Sequence, residues 1–251
     1  MSTANRELEG RVALVTGGAR NIGRAICHAL AAGGASVVVN CRAAHDEAQA
    51  VVAEIEAAGG KAACHVADVT DEEGVRAMVA AAEKRYGRLD ILVNNAAVRD
   101  VTKIDDIDLA TWRYVTGVIL DGAFICTKAS LQALRRAGEG AIVNIGGMSG
   151  HTGAAGRPHV VAAKMGLVGL TRALAHDLAP DNITVNCVVP GLIDTVRAGS
   201  SSTRSAHSHE GLLGRRGKPE EVAAVVRMLC GPDGRYITGQ DWHVNGGAYL
   251  G

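Results

Sequence analysis

Short apolar runs alternate without a break with longer segments of helical period along this chain, and that alternation constrains the fold most. The apolar runs predict strands at 11–16, 36–40, 62–66, 89–94, 141–145, 184–189 and 242–244. Between them apolar residues recur every three or four positions, as in Ile22, Ile26 and Leu30. Strands separated by helices form right-handed crossovers. The sequence therefore predicts an α/β fold with one doubly wound parallel sheet of about seven strands and helices on both faces.

Length and composition fit a single domain of this class. The chain has 251 residues, 47% of them hydrophobic, with 26 basic and 26 acidic side chains. A neutral chain lacks the basic surface of nucleic-acid binders, and no apolar run approaches the roughly 18 residues of a membrane span. The six cysteines form no CxxC pair, which indicates free thiols rather than a metal site. We expect one cytoplasmic domain over residues 1–251 with a small-molecule substrate and no metal, nucleic-acid or membrane partner.

A glycine-rich turn follows the first predicted strand directly. It runs from Thr16 to Gly23 with the sequence TGGARNIG and leads into a predicted helix. Glycines there let backbone N–H groups approach a pyrophosphate, which the helix N-terminus favours. The second predicted strand ends in Asn-Cys-Arg, without the acid that would hold the ribose hydroxyls of NAD. Arg20 and Arg42 are suited to a 2′-phosphate, which favours NADP(H) over NAD(H); the alternative is that both are ordinary surface arginines.

With these features the chain resembles the short-chain dehydrogenase/reductase family over about residues 10–251, which implies a Rossmann-like fold. Asp68 matches the residue that holds the adenine edge, NNAA at 94–97 resembles an Asn-Asn-Ala-Gly motif, and PGLIDT at 190–195 resembles the stretch that meets the nicotinamide carboxamide. The ending at 237–247 is similar to the acyl-carrier reductases of the family. Asn21 replaces a usual glycine, and asparagine tolerates left-handed backbone angles. The implied cofactor-binding residues are Gly17, Arg20, Asn21, Ile22, Gly23, Arg42, Asp68, Val69, Asn94, Ala96, Lys164, Pro190, Gly191, Ile193 and Thr195.

The chain departs from the family pattern at the catalytic positions. Reductases of this family carry Tyr-x-x-x-Lys on one helix face, a serine after the fifth strand and an asparagine in the preceding long helix. Ungapped alignment places Lys164 on the lysine, but Val160 on the tyrosine, Gly147 on the serine and Ile119 on the asparagine. The resemblance therefore implies a cofactor site from which the usual proton-delivering side chains are missing.

Lys164, His159 and His151 are the candidate catalytic residues. His159 precedes the tyrosine position, and it reaches the site only if the first helical turn after Pro158 is frayed. We expect His151 on the loop after the fifth strand. Each histidine has a plain alternative as a helix cap, turn or surface group.

Three functions fit this pattern. The first is an NADP(H)-dependent oxidoreductase acting on a carbonyl or alcohol, with a non-standard proton donor. The second is a non-redox lyase, dehydratase or isomerase that uses His159 and Lys164. The third is an inactive nucleotide-binding subunit.

The substrate site and the assembly are expected from the same pattern. A lid is predicted at 192–217, with Arg157, Arg197 and Arg204 as possible anion binders, over a pocket lined by Ile119, Val160 and Met148. The resemblance implies a homodimer or homotetramer that pairs through helices at 107–134 and 158–178 and through the last strand.

Overall fold

Seven parallel strands form one sheet in the computed structural model, which describes residues 6–195 and 211–251. The strands are β1 (Val12–Val15), β2 (Ser36–Cys41), β3 (Lys61–Val66), β4 (Ile91–Asn94), β5 (Gly140–Ile145), β6 (Ile183–Pro190) and β7 (Asp241–Val244). Their spatial order is β3-β2-β1-β4-β5-β6-β7. The predicted α/β fold is confirmed, and the strand ends differ from the predicted ones by at most two residues.

Helices cover both faces of the sheet. They are α1 (Asn21–Ala32), α2 (His45–Ala57), α3 (Glu72–Tyr86), α4 (Leu109–Thr116), α5 (Gly122–Ala137), α6 (Met148–Thr152), α7 (Pro158–Leu178) and α8 (Pro219–Cys230). One core layer joins α1, α2 and α8 to the sheet, and another joins α3, α5 and α7 to the opposite face. Because both faces are covered, most residues of the central strands are fully buried.

The helix predicted over 107–134 runs from Leu109 to Ala137 and contains a π turn. A π turn at Gly117–Asp121 separates α4 from α5. An 18-residue window within Leu109–Ala137 has a mean hydropathy of 1.2, so this stretch is long and apolar enough to cross a membrane by length and composition alone. Core helices of soluble proteins pass the same test, and α5 packs against α3, β4 and β5.

The strand order reverses direction at β1. From β1 the chain moves outward to β2 and β3, then returns to β4 on the other side of β1. The loops that follow β1 and β4 therefore diverge at the carboxyl ends of these two strands. Open α/β sheets bind ligands at such a switch point. The glycine-rich turn and the NNAA segment follow these two strands.

The cysteines lie inside this framework as free thiols, as predicted. Five are buried and Cys64 is half-buried. Burial raises the pKa of the Cys126 thiol to about 12, so this sulfur is held as an unreactive thiol.

Candidate active site

Asparagine side chains hold the glycine-rich turn in place. Asn95 donates from Nδ2 to the carbonyl oxygens of Thr16 (2.9 Å) and Gly17 (3.0 Å). Asn40, buried at the end of β2, accepts from the N–H of Gly17 at 3.3 Å. Asn21 adopts a left-handed conformation with φ of 50°, as its sequence position predicts. The turn is thus fixed by β2 and β4 before any ligand enters.

Backbone packing inside the turn leaves room for glycine only. A Cβ atom at Gly23 would lie 2.2 Å from the carbonyl oxygen of Gly17 and 2.6 Å from Nδ2 of Asn95. The N-terminus of α1, which starts here, has no side-chain cap. Uncapped N–H groups and a bare backbone surface fit the pyrophosphate of a dinucleotide.

Two arginines are candidates for contact with the adenosine ribose: Arg42 directly follows β2, and Arg20 directly precedes α1. Arg42 donates to the hydroxyl of Tyr114 at 2.7 Å and lies 3.8 Å from a carboxylate oxygen of Asp68. Arg20 forms an ion pair with Glu47. Both guanidinium groups are solvent-accessible, and a cleft of about 540 Å³ lined in part by Arg20 opens beside α1. This donor set fits the phosphate of NADP(H) better than the bare ribose of NAD(H).

The side chain of Asn94, a predicted cofactor-binding residue, is directed into the protein. Its Nδ2 donates to Asn144 Oδ1 at 2.9 Å and lies 3.3 Å from Thr127 Oγ1. Asn144 in turn donates to Thr171 Oγ1 at 2.9 Å. These side chains are buried beneath the site, where their hydrogen bonds link β4, β5, α5 and α7. The Asn94 side chain therefore links these elements, and the contact of this residue with the cofactor stays a prediction.

Lys164 on α7 lies against the segment that follows β5. Its Nζ donates to the carbonyl oxygen of Ile145 at 2.6 Å. A Cβ built at Gly147 would lie 3.8 Å from Lys164 Cγ, which is ordinary contact. Burial, helped by the charge of Arg99, lowers the pKa of Lys164 to about 8. An ammonium with that pKa gives up a proton readily near neutral pH.

Val160 and Ile119, which the sequence predicts at the lining of an apolar pocket, are buried. They belong to one buried apolar cluster with Val115, Ala123, Ala163 and Leu167. The π turn carries Ile119 onto α7, so the two side chains fill the interior instead of opening a cavity. Of the three residues expected to line the pocket, only Met148 remains half-buried.

His159 is fully buried and does not take the tyrosine position. The first turn of α7 is formed, with the N–H of Val161 bonded to the carbonyl of Arg157 at 2.9 Å, so the expected fraying is absent. His159 Nε2 lies 2.8 Å from Asp100 Oδ2, and its Nδ1 has no partner among the described residues. Hydrogen bonds from Thr102 and His159 lower the pKa of Asp100.

His151 lies in α6 and not on a loop. The segment closes one helical turn, which Gly153 ends with a φ of 75°. The His151 ring contacts those of His243 and Tyr249, with centroid distances of 4.6 and 5.6 Å. His151 is therefore packed against the end of β7 and the residues after it. The burial of His243 and the neighbouring His151 lower the pKa of His243.

The segment after β6 completes the site. Gly191 donates to the carbonyl of Val244 at 2.9 Å, and Ile193 pairs with Gly217. Most of the predicted lid, residues 196–210, lies outside the described residues, as do Arg197 and Arg204. The described residues at the two ends of 192–217 pair at the bridge between Ile193 and Gly217, close in sequence to Thr195.

Arg99 is a site residue that the sequence analysis missed. It lies just beyond the NNAA segment, and its Nη1 donates to Thr195 Oγ1 at 3.0 Å. Its charge also acts on Lys164. The sequence carries no signal for this role beyond a basic residue shortly after a strand, because the contact joins residues 99 and 195 across the sheet edge.

Comparison with known proteins places this arrangement in a family. The family model described as enoyl-(acyl carrier protein) reductase matches residues 17–249. A 3-oxoacyl-[acyl-carrier-protein] reductase from Synechocystis sp. is 40% identical over 248 residues, covering 97% of this chain and 98% of the relative. The chain belongs to the short-chain dehydrogenase/reductase family.

Solved structures of short-chain dehydrogenases agree with this membership. A dehydrogenase/reductase from Sinorhizobium meliloti superposes with a TM-score of 0.93 at 35% identity, with 98% of each chain covered. A short chain dehydrogenase from Burkholderia cenocepacia, in complex with NADP, gives a TM-score of 0.91 at 38% identity, with 96% of this chain and 99% of that chain covered.

Proposed function

We propose that this short-chain dehydrogenase/reductase interconverts a carbonyl compound and an alcohol with NADP(H), and that Lys164 serves as its proton donor. The observation that carries the proposal is the position of Lys164, whose ammonium is held on the Ile145 carbonyl at the end of β5 and whose methylene stem lies beside Gly147. The NADP complex of the Burkholderia relative and the carbonyl-reducing relatives support the cofactor and the reaction class.

Lys164 has the chemistry that the reaction requires of the protein. When bound, NADPH supplies a hydride to the carbonyl carbon. The carbonyl oxygen then needs a proton, and an ammonium carries three N–H groups, of which one is used on Ile145. A donor whose pKa lies near the working pH transfers a proton efficiently. His159, turned to Asp100, and His151, packed on His243, are less well placed for this step.

We expect the Lys164→Met variant to reduce carbonyl compounds about 10²- to 10⁴-fold more slowly than the wild type, since that is the usual effect of a positioned acid. Because the ammonium must be protonated to act, wild-type reduction slows as the pH rises through about 8. The measurement is NADPH oxidation at 340 nm over a panel of ketones and aldehydes, as a function of pH.

Lys128→Met is the matched control, because Lys128 is exposed on α5 and lies over the Phe124 ring. This variant removes the charge of a lysine that lies away from the site, so we expect it to leave the pH profile of carbonyl reduction unchanged. A wild-type profile that is flat through pH 8, or a Lys164→Met variant of full activity, contradicts the role of Lys164.

The buried cluster around Ile119 and Val160 favours a second function, that of a nucleotide-binding subunit without turnover. Such a subunit binds NADPH but oxidises none with any carbonyl compound. The non-redox alternative with His159 and Lys164 gains no support, since His159 is fully buried against Asp100.

A homodimer or homotetramer in the cytoplasm is part of the proposal, and exposed Phe124 on α5 and Met165 on α7 are consistent with such pairing.

A further inference from the structure

Tyr114 on α4 brings a phenol hydroxyl to the guanidinium group of Arg42. Arg42 Nη1 donates to Tyr114 Oη at 2.7 Å, and Arg42 Cζ lies 5.9 Å from the centroid of the Tyr114 ring. Arg42 directly follows β2, and dinucleotide-binding folds hold the 2′ position of the adenosine ribose at the end of that strand. The contact therefore joins α4 to the strand end at which NADP(H) is told from NAD(H).

The Tyr114 hydroxyl still has its own proton to donate. A tyrosine hydroxyl carries one O–H donor besides its acceptor lone pairs. The bond from Arg42 occupies a lone pair, and within residues 6–195 and 211–251 the O–H is donated to no acceptor. Tyr114 is 46% exposed and the side chain of Arg42 is 56% exposed, so a ligand can reach both groups from solvent.

Helix α4 holds this hydroxyl in a fixed place. Asp108 caps the helix by accepting from the N–H of Thr111 at 2.7 Å. Val115, the residue after Tyr114, is buried in the cluster that contains Val160 of α7. The cap and the core thus fix the backbone that carries Tyr114, and a fixed donor loses little conformational freedom when it binds a ligand.

The charged groups beside the hydroxyl leave Arg42 able to bind an anion. Asp68 Oδ2 lies 3.8 Å from Arg42 Nη1, and Asp68 Oδ1 accepts from the N–H and the hydroxyl of Thr70. A guanidinium has five N–H groups, of which one is used on Tyr114. A phosphate bound to the others lies close to Tyr114 Oη, because the two side chains are in contact.

We propose that Tyr114 Oη donates a hydrogen bond to the 2′-phosphate of NADP(H), so that helix α4 takes part in the choice between NADP(H) and NAD(H). This inference rests on the proposed function and adds a binding residue to its cofactor site. Arg42 supplies the positive charge and Tyr114 a neutral donor. NAD(H) carries a hydroxyl in place of the phosphate and gains less, because hydrogen bonds to an ionised acceptor are the stronger ones.

The test uses two adenosine nucleotides that differ only in this phosphate, 2′,5′-ADP and 5′-AMP. Each is titrated calorimetrically into the wild type, Tyr114→Phe, Arg42→Ala and the double variant. We expect Tyr114→Phe to weaken 2′,5′-ADP binding by about 5- to 30-fold and 5′-AMP binding by less than about 2-fold, since only the first nucleotide presents a charged acceptor there. Because Tyr114 contacts the phosphate itself, Tyr114→Phe also weakens 2′,5′-ADP binding by at least about 3-fold when Arg42 is already replaced by alanine.

Tyr236→Phe is the matched control. Tyr236 is fully exposed, and Arg235 beside it bonds to the carbonyl of Gly140 at the start of β5, at the end of the sheet opposite the cofactor site. We expect this variant to bind both nucleotides as the wild type does. Four results overturn the proposal: no binding of 2′,5′-ADP, equal wild-type affinity for the two nucleotides, full affinity of Tyr114→Phe for 2′,5′-ADP, or a loss that disappears in the Arg42→Ala background. The last result means that Tyr114 only orients Arg42.

Failure of this contact and failure of the proposed reduction give different results. If the wild type oxidises NADPH with a ketone while Tyr114→Phe keeps its affinity for 2′,5′-ADP, the reduction stands and the Tyr114 contact fails. If Tyr114→Phe weakens 2′,5′-ADP binding in both backgrounds while no carbonyl compound oxidises NADPH, the contact stands and the proposed reduction fails.

Discussion

At the scale of single residues, the choice between two cofactors depends on side chains near the end of β2. NADP(H) differs from NAD(H) by one phosphate on the adenosine ribose. Arg42 is oriented by Tyr114, whose hydroxyl bond also raises the pKa of the guanidinium, and Arg20 by Glu47. The sequence predicts both groups as partners of that phosphate, and a phosphate on Arg20 replaces the Glu47 carboxylate.

We expect Arg20→Ala and Arg42→Ala each to weaken NADPH binding by about 10-fold or more, since each removes a charge-assisted hydrogen bond. NADH binding changes by less than about 3-fold, because NADH lacks the phosphate that these groups contact. Calorimetric titration with both nucleotides measures the two affinities. Equal losses for NADPH and NADH would contradict the assignment of these arginines to the phosphate.

At the scale of elements, the start of α1 depends on how closely backbone approaches backbone. Gly23 lies in the first turn of α1, directly against Gly17 and Asn95, and no side chain caps this helix. Helix α1 therefore requires glycine at position 23 because a side chain does not fit there. Backbone conformation is not the reason, since Gly23 has no positive φ. Sequence pattern identifies such a glycine only by its place between a strand and a helix.

We expect Gly23→Ala to lower the free energy of unfolding by about 1–3 kcal/mol and to weaken NADPH binding at least about 10-fold, because the new methyl group displaces the turn. Gly169→Ala is the matched control, since Gly169 lies inside α7 with nothing within 4 Å of a built Cβ. That change stabilises by about 0.5–1 kcal/mol through helix propensity. Urea unfolding and nucleotide titration measure both effects, and a Gly23→Ala variant with full NADPH affinity would be the contrary result.

At the scale of the whole molecule, the sequence predicts that three distant parts of the chain supply the positions at which the family keeps its proton-delivering residues. Ile119 comes from the π turn, Gly147 from the segment after β5, and Val160 from α7. Ile119 and Val160 pack in one cluster, so a polar side chain at either position enters an apolar environment. The replacements are therefore coupled by tertiary packing.

We expect the triple variant Ile119→Asn, Gly147→Ser, Val160→Tyr to reduce a ketone panel about 10²-fold or more faster than the wild type, because the resemblance implies that these positions carry the proton-delivering side chains of the family. Urea unfolding of the variant is measured beside it, since Ile119 and Val160 are buried. Gly147 accepts a side chain without close contact, as its Cβ would lie 3.8 Å or more from its neighbours. Replacing the tyrosine with phenylalanine in the same triple variant keeps the ring without the hydroxyl. Equal rates of ketone reduction for the two triple variants would show that the absence of a tyrosine hydroxyl does not limit the reaction.

Much of the fold could be predicted from the sequence, because strand and helix periods differ and the central strands are mainly apolar. The left-handed conformation of Asn21 and the place of Pro158 at the start of α7 could also be predicted, because both follow from the residue type and its immediate neighbours in sequence. The site was predicted less well. Asn94 and His159 were given contacts with ligand or substrate, but each side chain is directed into the protein, where Asn144 and Asp100 are its partners.

The sequence by itself determined the parallel sheet, the glycine-rich turn and the lysine on α7, since each follows from neighbours within a few residues. Only the tertiary structure decided which side chains reach the entrance of the site. Arg99 meets Thr195, and His159 meets Asp100, across 96 and 59 residues of chain. Side-chain direction at such points is set by packing between elements, and local patterns carry no record of that packing.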